Sequence, residues 1–245
     1  MALNLPRPNL RSRAQSSIAT RGSIGDPSSQ SSSATDPKTK RPVYTGSRFD
    51  LFAPMENPPD EFTSADLLST GLLSVHVPGK AIVQILERAR EELNGLLTQL
   101  PADVDLHDLS DSGFTRYLGD TSSPGYLLWD AIRGNTAKQP VGMGPTLTSK
   151  LLARKRPRLI PVWDSKIESA RGLTGSRNHW VWMRQILQGD GGRLARRLER
   201  IREDSGQIGL SLLRTFDIAV WHAATNPHRR PNVDDPEDGR TEDPG

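Results

Sequence analysis

The residues best spaced for chemistry in this chain are two glycines, a cluster of cations and one aspartate, all between Val141 and Ile167. Gly142-Met143-Gly144 precedes Pro145, after which Leu147, Leu151 and Leu152 recur at helical spacing. Glycine permits a tight turn where a side chain would clash. Proline suits a first helical position, because its missing N–H would be unpaired there anyway. The segment therefore reads as a glycine turn opening a helix. The N–H groups of such a turn point outward and can hold a phosphate, with Gly142, Gly144 and Thr146 as the contact residues. Lys150 and the run Arg154-Lys155-Arg156-Pro157-Arg158 read as a phosphate clamp on the same element. Contacts of this kind give affinity without sequence choice. The plainer alternatives are a loop before a helix and a solvated basic stretch.

Asp164 lies just before Ile167 and Ala170, where a helix N-cap belongs. As a cap alone it is worth about 1 kcal/mol. About thirty residues from Pro140 onward also resemble the helix-hairpin-helix motif of the DNA glycosylase superfamily. That motif runs from a Gly-x-Gly hairpin through a helix and a proline-containing loop to Val-Asp-Thr-His-Val with a catalytic aspartate. Gly142-Met143-Gly144 matches the hairpin, and Asp164-Ser165-Lys166-Ile167 matches the aspartate segment at a fitting separation. Pro140 is displaced by one residue from the usual Leu-Pro-Gly, and Trp163 replaces the valine before the aspartate. The resemblance implies that Asp164 stabilises positive charge building on the sugar as an N-glycosidic bond breaks. The lysine of members with lyase activity falls on Thr146, so it implies base flipping and hydrolysis without a lyase step. The wider chain, including Leu151-Leu152-Ala153-Arg154-Lys155-Arg156-Pro157, also resembles an uncharacterised bacterial family with no assigned activity.

These residues need a scaffold, and 245 residues suffice for one domain with a real core. Hydrophobic residues make up 34% of the chain, a low share whose deficit lies in the tails. Residues 1–42 are rich in Ser, Arg and Pro, and 225–245 are polar and acidic; both read as disordered. Between them, residues 43–224 read as a helical domain, with the hairpin unit at about 125–171. The absence of cysteine excludes disulfides, a thiol nucleophile and an iron–sulfur cluster, and suits a reducing cytoplasm. No apolar run is long enough to span a membrane, and no secretory signal is present. The five histidines show no metal-ligand spacing, so no metal or cofactor is expected.

Helical periodicity organises the rest. Thr63 with Asp66 is a capping-box start. Pro78 opens the clearest amphipathic helix, whose stripe is Ile82, Ile85, Leu86, Ala89, Leu93, Leu96 and Leu97 and which ends by Pro101. Leu127, Leu128, Trp129 and Ile132 form a short helix ending at Gly134. Trp180, Met183 and Leu187 mark another helix, Leu194, Leu198 and Ile201 the next, and Leu213, Phe216 and Val220 the last. Asp217 shares a face with Leu213 and is expected to be a paired, partly buried carboxylate. No alternating strand pattern occurs. The fold class is all-α, about eight helices in one globular domain.

Charge is uneven along that domain. Phe49 to Ser149 holds 6 Lys and Arg against 14 Asp and Glu, whereas Lys150 to Arg202 holds 14 against 4. Such asymmetry suggests a face for a polyanion, or two halves that attract each other. The expected partner is DNA, bound through backbone contacts, with or without base excision. A helical protein-interaction domain is the other reading.

Overall fold

The computed structural model describes residues 45–134, 141–164 and 178–225. The described residues all belong to one compact unit. Among them every regular element is helical.

α1 (Ser64–Ser69) opens on the expected capping box. Asp66 Oδ2 accepts from the Thr63 N–H at 2.8 Å and from the Thr63 hydroxyl at 3.0 Å, which satisfies a donor that a helix start otherwise leaves unpaired. α2 (Gly79–Val83) passes through a π-turn at Gln84–Arg88 into α3 (Arg90–Leu97). One continuous helix was the expectation from Pro78 to Pro101, and the wide turn is the difference. Ala81, Ile85, Ala89, Leu93 and Leu97 are all buried, at a strict spacing of four. An α-helix has 3.6 residues per turn, so a period of four drifts around its surface. One turn closed by Ala89 N–H on Gln84 O at 2.9 Å takes up that drift and keeps the stripe on the core.

α4 (Asp111–Phe114) is capped by Ser110, whose Oγ accepts from the Gly113 N–H at 3.0 Å, and it runs on into a second π-turn at Thr115–Gly119. α5 (Pro124–Arg133) starts on proline and stops at Gly134, which takes the left-handed conformation (φ 71°). That conformation favours glycine, and it closes the last turn. α5 packs on α3 and on α6 (Pro145–Lys155). α7 (His179–Asp204) is two helices in one: Asp190, Gly191 and Gly192 all have positive φ, which breaks the rod between the two apolar stripes seen in the sequence. α8 (Leu212–Thr225) packs back on α7.

α6 sits at the centre. Every residue from Leu147 to Lys155 is buried, polar and charged ones included. A helix buried on all faces usually reads as apolar all round; this one does not, and its cations are the reason the site differs from the sequence reading.

Candidate functional site

The basic run lies inside the protein. Arg156 is fully buried, and all five of its N–H donors are used. Nε donates to Leu100 O at 2.9 Å. Nη1 donates to Pro59 O at 2.6 Å and to Lys155 O at 2.9 Å. Nη2 donates to Asp60 Oδ1 at 2.5 Å and to Leu97 O at 2.6 Å. Arg154 donates from Nη1 to Phe49 O at 2.6 Å and Asp50 O at 2.7 Å, and from Nη2 to Phe52 O. Lys155 Nζ meets Asp66 Oδ2 at 2.6 Å and donates to Asn57 Oδ1 and Pro58 O. Burial pushes both Lys155 and Arg156 below their ordinary ranges, and the carboxylates beside them oppose that shift.

This corrects the clamp reading for Lys150, Arg154, Lys155 and Arg156. An ion taken from water costs several kcal/mol unless its donors are satisfied, and most of these donors are satisfied from within; Arg154 Nε, 3.5 Å from Asp66 Oδ1, is ion-paired without a hydrogen bond. Arg158 alone of the run is exposed, and it is paired with Asp105. Part of the uneven charge of the two halves is spent the same way. Arg154 and Lys155 meet Asp66, Arg156 meets Asp60, Arg158 meets Asp105, Arg184 meets Asp111 and Arg214 meets Asp50. Each pair joins the acidic half to a cation from beyond Ser149. The exposed cations of the second half include Arg193, Arg196, Arg197 and Arg200 on α7.

The glycine turn, by contrast, is at the surface. Gly142 and Gly144 are exposed and Met143 between them is buried. Gly142 has φ 79°, and a Cβ there would stand 3.2 Å from Pro78 Cγ. Gly144 is the N-cap of α6, with ordinary φ, open space around it and no side chain capping the helix. Thr146 is half-buried in the first turn. The first N–H groups of a helix have no partner within it, so an end without a side-chain cap suits an anion.

Ser149 ties that end to Asp164. Its hydroxyl lies 2.9 Å from Thr146 O and 3.1 Å from Trp163 O, and its Oγ accepts from the Trp163 N–H at 2.8 Å. The loop after α6 is thereby laid along the helix, with Leu159, Ile160, Val162 and Trp163 buried beneath it. Asp164 emerges from this run with its side chain 23% exposed and its Oδ2 3.5 Å from Lys150 Nζ. Lys150 also donates to Leu73 O at 3.1 Å, which holds the ammonium in place. Residues 165–177 lie outside the described residues. The N-cap reading of Asp164 and the Ser165-Lys166-Ile167 match depend on those residues, and Pro140 also lies outside the described residues.

Two neighbours were not read as part of this region. Asp217 pairs with Arg214, as expected of a buried carboxylate, but it also stands near enough to Lys150 and Asp164 to feel both. Burial raises its pKa, Arg214 and Lys150 oppose the rise, and Asp164 adds to it. Arg214 itself also bonds Asp50 at 2.9 Å and Gly46 O at 3.0 Å. His179 is buried with Nε2 3.0 Å from Val162 O, its ring edge-on to Trp163 at 4.8 Å and stacked on Trp182 at 6.0 Å. Burial holds its pKa down to about 4, so at neutral pH it is uncharged and donates one hydrogen bond to the loop that carries Asp164. Metal spacing in sequence gave no sign of this histidine, because its partner is a carbonyl. Among the described residues no cluster of His, Asp and Glu could hold a metal ion, and no helix is long and apolar enough to cross a membrane.

These elements define an all-helical protein whose central helix carries an open glycine turn at one end and buried, internally paired cations at the other. The chain belongs to the family of unknown function DUF6308, whose model matches residues 32–224. The uncharacterised family resembled in sequence therefore has a counterpart here. The comparisons with curated proteins and with solved structures give no match.

Proposed function

We propose that the protein binds nucleic-acid backbone on the Gly142–Gly144 turn and the first turn of α6, with Asp164 as the carboxylate for hydrolysis of an N-glycosidic bond. The observation that carries this reading is Ser149. It links Thr146 O in the first turn of α6 to the Trp163 backbone beside Asp164, so turn and carboxylate belong to one fixed unit. A carboxylate so held can stabilise developing positive charge without rearranging. The buried cations take no part, so the grip rests on backbone N–H groups and few phosphates. The salt dependence of binding is accordingly shallow, about one or two released counterions. Thr146 supplies no amine, which leaves hydrolysis without strand cleavage. A second reading, a non-catalytic binder, is favoured by Lys150, whose ammonium 3.5 Å away already partners Asp164.

Two variants of the full chain test this. Gly144→Asp places a better cap than glycine at the start of α6, so the fold is kept. It also puts a negative charge where the phosphate would sit, and duplex DNA binding is expected to fall at least about tenfold. Unchanged binding with unchanged melting would remove the turn from the interface. Asp164→Asn is then compared with the unaltered chain for release of free base from duplexes carrying alkylated, deaminated or oxidised bases. DNA binding without base release from any lesion selects the non-catalytic reading.

A further inference from the structure

Away from Asp164, two cavities adjoin where the segment 47–57 meets the end of α7 and the start of α8. One, of about 300 Å³, is bordered by Arg154, Arg158 and Arg202 together with Asn57. The other, of about 500 Å³, is a groove whose apolar wall is Leu51, Ile201, Leu210, Ile218 and Ala219. Asp50, Leu51 and Leu210 line both, so chamber and groove form one cleft. Cavities of a few hundred Å³ with an apolar wall and a few placed polar groups are the usual form of a small-molecule site.

The charges in the chamber do not balance. Asp66 is one carboxylate serving two cations, Arg154 and Lys155. Arg158 is matched by Asp105, and Asp50 is taken by Arg214. Arg202 has no carboxylate at ion-pair distance among the described residues. It donates from Nη1 to Leu210 O at 3.1 Å, and its buried Nε has no partner. The chamber thus has surplus positive charge beside a wall of carbon. Leu51 and Ile218 are 63% and 37% exposed, apolar surface that water covers poorly.

We propose that this cleft binds a single-chain amphiphile with a carboxylate head, the head beside Arg202 and the alkyl chain along Leu51, Ile201 and Ile218. A planar carboxylate suits a guanidinium better than a spherical anion does, because both oxygens can accept at once. The groove of about 500 Å³ beside the chamber suits one chain. The head supplies the countercharge that Arg202 lacks, and the chain covers the exposed leucine and isoleucines.

The test is calorimetric titration of the full chain with dodecanoate kept below its micelle concentration, beside acetate and dodecanol. Saturable binding of dodecanoate is expected, with acetate and dodecanol each much weaker. Arg202→Gln should weaken dodecanoate by about tenfold through loss of a charged hydrogen bond, and Arg202→Lys, which keeps the charge but not the paired donors, should fall between the two. Ile218→Ser should weaken it through the chain end, and it keeps the test open if Arg202→Gln fails to fold. The proposal is overturned if dodecanoate does not saturate, if dodecanol binds as tightly, or if folded Arg202→Gln and Ile218→Ser bind as before. Self-association abolished by Ile218→Ser, without dodecanoate binding, would assign the groove to a second copy and overturn it equally.

Discussion

His179 makes the loop that carries Asp164 sensitive to acid, and the size of the effect can be worked out. Its pKa is about 4 in the folded chain, against 6.5 for an ordinary histidine. The folded value is the lower one, so the stability it contributes is complete above 6.5. It is lost as the pH falls towards 4, where the unfolded chain takes up a proton that the folded chain refuses. From the two values, the loss between pH 7.5 and pH 5 is about 2 kcal/mol, and near pH 4 it approaches about 3 kcal/mol. His179→Phe keeps a ring against Trp163 and removes the titration. Urea unfolding, followed by tryptophan fluorescence at both pH values, gives the change in stability for each protein. Other titrating groups are common to both, so they cancel in the comparison. The unaltered chain should lose about 2 kcal/mol more than the variant over this range. Equal losses would mean that His179 ionises in the folded state as it does in water, and that burial does not hold it neutral.

Arg156→Met should cost about 3–5 kcal/mol in urea unfolding, because it leaves the carbonyls of Leu97, Leu100 and Pro59 without their donor; a loss under about 1 kcal/mol would mean those acceptors find water. Gly142→Ala should destabilise by roughly 1–2 kcal/mol, since alanine is strained at φ 79° and its Cβ meets Pro78 at 3.2 Å. Gly144→Ala has ordinary φ and open space, and should cost less than about 1 kcal/mol as a poorer cap. Thermal melting that ranks the two glycines the other way would refute the turn geometry.

What the sequence showed well was whatever its neighbours decide. The capping box of Thr63 and Asp66, the proline start of α6 and the stop at Gly134 rest on contacts within one turn, and each is present. The break within α7 was also legible, since two apolar stripes flank Gly189-Asp190-Gly191-Gly192. The π-turn had a signature in the spacing of four from Ala81 to Leu97, but a stripe of four is easily taken for a plain helix. The fate of the basic run could not be read at all. Arg154 and Arg156 bond mostly to backbone carbonyls of residues from Phe49 to Leu100, and any residue type offers those. The one clue was the acidic first half, which fits internal pairing as well as an external polyanion. His179 and Trp163 were invisible as a pair for the same reason: packing and a carbonyl join them, not a spacing.

The buried cations of α6 also say what the smallest independent piece of this protein must contain. Residues 49–60 include only a single short 3-10 turn, Pro54–Glu56, and would pass for a dispensable leader to α1. Yet Phe49, Asp50, Phe52, Asn57, Pro58, Pro59 and Asp60 supply oxygens that accept from the cationic donors of Arg154, Lys155 and Arg156. A chain begun at Glu61 would keep every α-helix and still strip Arg154 of three acceptors and Lys155 and Arg156 of two each. The irregular stretch is thus a clasp on the innermost helix, and a protease cut within it should open the core as surely as a cut in α6 itself.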